Sequence, residues 1–178
     1  KLISLIKKGG FTPQLYFIYE ANPAYNNPDS GLTQEVLKSE KLIPHIVVAD
    51  SHMTETALLA DLVLPTATYL ESWGLDSSPS LNFIPFIALQ QPIIRPYGNS
   101  VPISEIFIEL AHRIGGDLSR SFKFTSTEEY LKKVISEISP LEQAGGLNYL
   151  KENGIWFEPK AKPKYKSYES KGFNTPSG

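Results

Sequence analysis

Short apolar runs alternate with helix-like segments along the first 65 residues of the chain. Residues 15–20, 45–49 and 62–64 are apolar runs that predict strands. Residues 45–49 show no polar/apolar alternation, which is typical of a strand buried on both faces of a parallel sheet, and residues 62–64 are expected to form a second buried strand. Residues 33–37 and 57–59 lie between these runs and carry apolar side chains suited to short helices. The pattern therefore predicts two successive β-α-β units and three parallel strands.

The second half of the chain is predicted to be mainly helical. Ser104 and Ser126 are the expected N-caps of two amphipathic helices, as Thr33 is for the earlier helix. Glu129 is expected to complete a capping box with Ser126. The other expected features are an unpatterned loop at 71–85, extended segments at 83–90 and 93–94, a short helix at 144–152 and an extended Lys- and Pro-rich tail at 159–178.

Composition narrows the function classes. The 178 residues suit one domain, and 41% hydrophobic with 20% charged residues is ordinary for a globular protein. A net charge of -2 gives no basic surface for nucleic acid. The absence of cysteine excludes disulfides, thiolate zinc sites and iron–sulfur ligation by this chain, and the three histidines lack zinc-ligand spacing.

Polar residues follow two of the predicted strands, at the edge where parallel sheets bind ligands. Asp50 comes directly after residues 45–49, and its carboxylate could accept from two parallel donors such as guanine N1–H and N2–H or a ribose diol. Asn22 follows the first strand and could bond a phosphate or a pterin edge. The alternatives are a helix cap for Asp50 and an Asx turn for Asn22.

Other chemistry has weaker support. The chain has neither the glycine-rich dinucleotide fingerprint nor a P-loop, so ordinary nicotinamide or Walker-type binding lacks its phosphate cradle. A hydrolytic triad of residues 76–78 with His52 is disfavoured, because no nucleophile-elbow motif surrounds the serines.

The segments VADSHMTETA (48–57) and ADLVLPTATYLE (60–71) resemble the third domain of the molybdopterin oxidoreductase family, the dimethyl-sulfoxide-reductase superfamily of catalytic subunits. The resemblance continues in the same order along most of the chain. It includes residues 15–24, 91–96, 105–111, 154–156 and 173–178.

This resemblance implies a three-layer α/β fold with a mainly parallel, Rossmann-like sheet flanked by helices and an extended C-terminal tail. It also implies a division into the end of a preceding helix (1–12), the third domain (13–153) and a linker toward a further domain (154–178). The cofactor implied is molybdopterin guanine dinucleotide carrying Mo or W, which performs the redox chemistry while the protein orients it.

A complete enzyme would need more than this chain, which is expected to be inactive alone. The family's metal ligand and any iron–sulfur cluster come from other domains. The partners that the resemblance implies are the remaining domains of the same subunit, an iron–sulfur electron-transfer subunit and a membrane anchor. The resemblance is compatible with the extracytoplasmic face of the membrane, and the alternative is the cytoplasm. Residues 69–71 and 91–93 look closest to the polysulfide, thiosulfate and tetrathionate reductase branch.

The cofactor-binding residues that the resemblance implies are Asn22, Ala49, Asp50, Thr54 and Ser72. Ser72 departs from some relatives, which have a lysine there, so a charged phosphate contact is missing. Thr54, Glu55 and Thr56 are expected mainly to shape and cap the helix that follows Asp50. The competing hypothesis is a freestanding α/β module that binds a small molecule or a protein and has no redox role.

Overall fold

The computed structural model describes residues 2–77, 84–163 and 165–177, which form two compact units. The unit that we call the parallel unit comprises the described residues within 1–72 and 93–122. The antiparallel unit comprises those within 73–92 and 123–178. No helix among the described residues has the length and apolar character needed to cross a membrane.

The parallel unit is an α/β structure with one three-stranded sheet. Its regular elements are α1 (Leu2–Lys7), β1 (Tyr16–Tyr19), α2 (Pro23–Asn26), α3 (Ser30–Leu37), β2 (Ile46–Asp50), a 3₁₀ helix (Ala57–Leu59), β3 (Leu62–Pro65), a second 3₁₀ helix (Tyr69–Glu71), α4 (Ile103–Ile114) and α5 (Gly116–Ser121).

The sheet has the order β1-β2-β3 with all neighbours parallel, as the apolar runs predict. Tyr16 pairs with Ile46, and Asp50 pairs with Pro65 at the other end of β2. At the start of β2, Asp61 accepts a hydrogen bond from the Ile46 backbone N–H (2.7 Å), which fixes the register. Buried side chains from the helices and strands form one core: Ile6, Ile18, Ala24, Val36, Leu37, Ile43, Ile46, Val48 and Ala57.

Three local predictions in this unit are wrong in detail. The segment after β2 forms a single 3₁₀ turn, because Ala60 is already extended and Asp61 N bonds back to Ile46. The N-cap of α3 is Asp29, whose side chain accepts from Leu32 N, whereas Thr33 lies inside the helix. Helix α4 likewise begins one residue before Ser104, after Pro102.

The antiparallel unit contains a second three-stranded sheet that the sequence pattern does not predict. Its elements are β4 (Gly74–Asp76), β5 (Phe86–Gln90), α6 (Thr127–Ser136), α7 (Ser139–Gln143), α8 (Gly146–Asn153), β6 (Ile155–Phe157) and α9 (Ser167–Lys171). β5 pairs antiparallel with both β4 and β6. The core of this unit consists of Leu89, Leu131, Ile135, Leu141, Leu147, Leu150 and Trp156.

Several expectations from the sequence concern this unit. Ser126 caps α6 by accepting from Glu129 N, but the Glu129 carboxylate accepts from Thr125 instead of completing the capping box. The tail is not wholly extended, since residues 167–171 are helical. Residues 78–83, which include part of the expected loop, of the first extended segment and of the disfavoured triad, lie outside the described residues. In the parallel unit, residues 93–94 do not form the expected extended segment of a strand.

Candidate functional site

A cleft of about 520 Å³ lies at the carboxyl end of the parallel sheet. Loops that follow β1, β2 and β3 converge there, because parallel strands end at the same edge. The cleft is lined by Glu20, Ala21, Asn22, Asn26, Asp50, Ser51, His52, Thr54, Thr68 and Tyr69.

Asp50 stands at the end of the central strand and is 8% exposed. Its Oδ1 accepts a hydrogen bond from the His52 backbone N–H (2.9 Å), which forms an Asx turn and fixes the carboxylate. Among the described residues no donor reaches Oδ2. Asp50 is therefore a preoriented carboxylate with acceptor capacity left for a ligand.

Asn22 lines the same cleft, but its amide already has protein partners. Its Oδ1 accepts from Thr56 N (3.1 Å) and Thr56 Oγ1 (2.8 Å), and its Nδ2 donates to Glu55 (2.6 Å). The hydrogen bond from Asn22 lowers the pKa of Glu55. Asn22 thus ties the loop after β1 to the turn after β2, which the sequence alone does not indicate.

Thr54 lies in the cleft wall, and its Oγ1 accepts from Ala57 N (3.2 Å) at the start of the 3₁₀ turn. This bond agrees with the capping role expected for its side chain. Ala49 is completely buried between its neighbouring strands and does not line the cleft. Ser72 does not line it either, and its hydroxyl donates to Thr68 O (2.9 Å).

Thr68 and Tyr69 form a wall that sequence reasoning missed. Glu71 is buried and accepts from Thr68 N (2.7 Å), Thr68 Oγ1 (2.9 Å) and Tyr97 N (2.8 Å), which completes a capping box on the second 3₁₀ helix. The bonds from the Thr68 backbone and side chain, with that from Tyr97, lower the pKa of Glu71. The Thr-x-x-Glu spacing of residues 68–71 is the sequence signal that could have predicted this capping box.

The lining residues indicate which chemistry the cleft suits. Two carboxylates, Glu20 and Asp50, line it, whereas the described residues of its lining include no lysine or arginine. Glu20 has a φ of 43° and turns the chain from β1 toward the Asn22 loop. A ligand group rich in N–H or O–H donors therefore fits this surface better than a phosphate does.

These features define a Rossmann-like α/β binding domain with its site at the carboxyl edge of a parallel sheet. Comparison with known proteins gives the family. A family model described as molybdopterin oxidoreductase matches residues 1–113. The chain belongs to the molybdopterin oxidoreductase family, as its motifs predict.

Two curated relatives align with most of this chain. It is 33% identical over 158 residues to the probable oxidoreductase YyaE of Bacillus subtilis. The aligned residues make up 88% of this chain and 22% of that protein. It is 30% identical over 154 residues to the F420-dependent formate dehydrogenase subunit alpha of Methanocaldococcus jannaschii. Here the alignment covers 85% of this chain and 21% of that protein. The chain therefore spans about a fifth of the length of these relatives and corresponds to one part of an oxidoreductase catalytic subunit.

The fold also resembles that of a solved structure. Acetylene hydratase from Pelobacter acetylenicus matches with a TM-score of 0.74 at 24% identity, over 99% of this chain and 22% of that one. This likeness supports the fold. The family match removes the support for a freestanding module without a redox role, and it indicates a molybdopterin-type cofactor with Mo or W in the complete subunit.

The cleft fits one part of such a cofactor. The open acceptor on Asp50 suits a donor-bearing group, and no cationic side chain among the described residues of the lining is available for a diphosphate.

Proposed function

We propose that this chain holds the nucleotide end of a molybdopterin guanine dinucleotide in a molybdopterin oxidoreductase catalytic subunit. The observation that carries the proposal is Asp50, a buried carboxylate whose Oδ1 is fixed by His52 N and whose Oδ2 has no donor among the described residues. Guanine presents N1–H and N2–H side by side, and a carboxylate can accept both.

The rest of the chain supports Asp50 in this role. The Asx turn holds the carboxylate before the ligand arrives, so less side-chain freedom is lost on binding. Thr54 and Thr68 supply polar surface on either side of the cleft. When bound, the metal and pterin of the cofactor supply the redox chemistry, and this chain contributes binding and orientation.

The remaining functional features belong to the complete protein. We propose that other domains supply the metal ligand, any iron–sulfur cluster and the cations for the diphosphate, since no lysine or arginine lines the cleft in the part of the chain that the structure describes. An iron–sulfur partner subunit, a membrane anchor and an extracytoplasmic position remain predictions. So does the polysulfide and thiosulfate reductase branch.

Asp50→Asn in the complete subunit tests the proposal. The Asn side-chain oxygen can still accept from His52 N, but its NH₂ group would face the donors of the base. We expect a loss of guanine nucleotide and molybdenum per purified chain, with little change in melting temperature.

Asp61→Asn is the matched control, because Asp61 lies at the opposite end of β2 and bonds only backbone there. It should leave the cofactor content unchanged. Full cofactor content in Asp50→Asn would remove Asp50 from the site.

A further inference from the structure

Two walls of the cleft are joined by one buried cluster of hydrogen bonds. Thr56 is 0% exposed, and its Oγ1 donates to Asn22 Oδ1 (2.8 Å) while accepting from Ala24 N (3.0 Å). Thr56 N also donates to Asn22 Oδ1 (3.1 Å). This cluster, which we call the Asn22–Thr56 clamp, connects residues 34 positions apart in the sequence.

The chemistry of the clamp fixes the orientation of the Asn22 amide. A backbone N–H can only donate, so the atom facing Thr56 N is the amide oxygen. The amide nitrogen then faces Glu55, whose carboxylate accepts from it (2.6 Å). Both lone pairs of Oδ1 are used by Thr56, so Asn22 has no acceptor left on its side chain for a ligand.

The clamp includes Asn22, which lines the proposed site. On one side it holds the turn after β1 and the start of α2, and on the other it holds the end of the segment of residues 50–56 that begins at Asp50. Gln34 extends the anchor, because its Nε2 donates to Ala24 O (3.0 Å) from helix α3. The turn after β2 is thereby tied to a helix of the same unit.

We propose that Thr56 and Asn22 are positioning residues that set the separation between the Asp50 turn and the loop after β1. Thr56 cannot touch a ligand, since it is fully buried, and it acts through the position of Asp50. This inference rests on the proposed function of the cleft. It assigns Asn22 a role different from the direct cofactor contact that the family resemblance implies.

Thr56→Val in the complete subunit is the first test, because valine keeps the shape of threonine and removes its hydroxyl. We expect hydrogen–deuterium exchange of the peptide covering residues 50–56 to become about tenfold faster in cofactor-free subunit, since two bonds of the clamp are lost. Guanine nucleotide per chain should fall as well. Thr56→Ser should restore both.

Thr33→Val is the matched control. Thr33 is also a buried threonine of the parallel unit, and its hydroxyl donates to Asp29 O (2.8 Å) away from the cleft lining. This variant should change neither the exchange of residues 50–56 nor the nucleotide content. An equal loss in Thr33→Val at a similar melting temperature would overturn the inference.

A charge exchange tests the clamp without touching the buried hydroxyl. Asn22→Asp places a second carboxylate next to Glu55, so it should speed exchange and lower nucleotide content. The double variant Asn22→Asp with Glu55→Gln restores a donor–acceptor pair and should recover both. Failure of this rescue would contradict the clamp.

The outcomes separate this inference from the proposed function. Retained nucleotide in Thr56→Val alongside loss in Asp50→Asn would overturn the positioning role and leave the proposed function standing. Retained nucleotide in both variants would overturn the proposed function, and the positioning role with it.

Discussion

The parallel and antiparallel units each pack helices near a three-stranded sheet, but they arrange their polar loops differently. In the parallel unit β1, β2 and β3 end at one edge, where the loops carrying Asn22, Asp50 and Thr68 line one cleft. In the antiparallel unit, neighbouring strands run in opposite directions, so successive loops leave from opposite ends.

Because of this difference, the residues implied in cofactor binding lie in one unit, while the other unit contributes mainly an apolar core. All five residues that the family resemblance implies for the cofactor lie within 1–72, in the parallel unit. The antiparallel unit contributes a compact apolar core around Ile135, Leu141 and Leu150. Substitutions in the two units should therefore affect cofactor content and stability in different proportions.

Leu150→Ala should give the largest loss of stability. Leu150 is fully buried among the helices of the antiparallel unit, so its truncation should cost about 2–5 kcal/mol of unfolding free energy. Chemical denaturation of the complete subunit measures this cost. The folded fraction should keep its cofactor, and a selective loss of cofactor without destabilisation would break the proposed division between the units.

Thr56→Val should have an intermediate effect on stability. It leaves the Ala24 N–H without its acceptor in a fully buried position, which should cost about 1–3 kcal/mol. Its denaturation midpoint should fall less than that of Leu150→Ala. Its cofactor content should nevertheless fall further, and the reverse ranking of cofactor content would contradict the comparison.

Two capping glutamates allow a smaller, pH-dependent test. The pKa of Glu71 is lowered by hydrogen bonds from Thr68 and Tyr97, and the pKa of Glu129 is lowered by bonds from Thr125. Each of these carboxyl groups has a lower pKa in the folded than in the unfolded state, so its ionised form stabilises the fold. This stabilisation is fully present above the ordinary pKa of 4.5, and it is lost as the pH falls through the folded-state pKa.

Glu71→Gln and Glu129→Gln should each flatten the fall in melting temperature measured below pH 4.5. Glu71→Gln should also weaken the Thr68 and Tyr69 wall, because Glu71 is buried and holds it, whereas Glu129 is exposed in the antiparallel unit. A lower cofactor content is therefore expected for Glu71→Gln alone. Unchanged pH dependence in both variants would refute the capping roles.

The sequence predicts the parallel unit well because its signals are local. Apolar runs mark the positions of the three strands, but only β2 is largely buried. The expectation that residues 62–64 are buried is wrong, because β3 lies at the edge of the sheet and has no buried residue. The topology of parallel strands brings Asp50 and Asn22 to one edge. The hydrogen-bond partners of Asn22 are not predictable in this way. Thr56 and Glu55 reach it through tertiary packing across more than 30 residues, and no residue pattern encodes that contact.

The antiparallel sheet is not predicted from the sequence for a related reason. β4 and β6 have three residues each, too few to show an alternation, and β6 follows β5 after five intervening helices. The residues 154–156, which resemble an approach to a further domain, include the start of a strand that pairs with β5. Short strands with distant partners take their identity from packing rather than from their own sequence.

The most direct test is an experimental structure of the complete subunit with its cofactor bound. We expect the guanine of the dinucleotide to donate to the Asp50 carboxylate at the carboxyl edge of β2, with the Asn22–Thr56 clamp intact beneath it. A nucleotide end bound outside this cleft, with Asp50 facing solvent, would contradict the account.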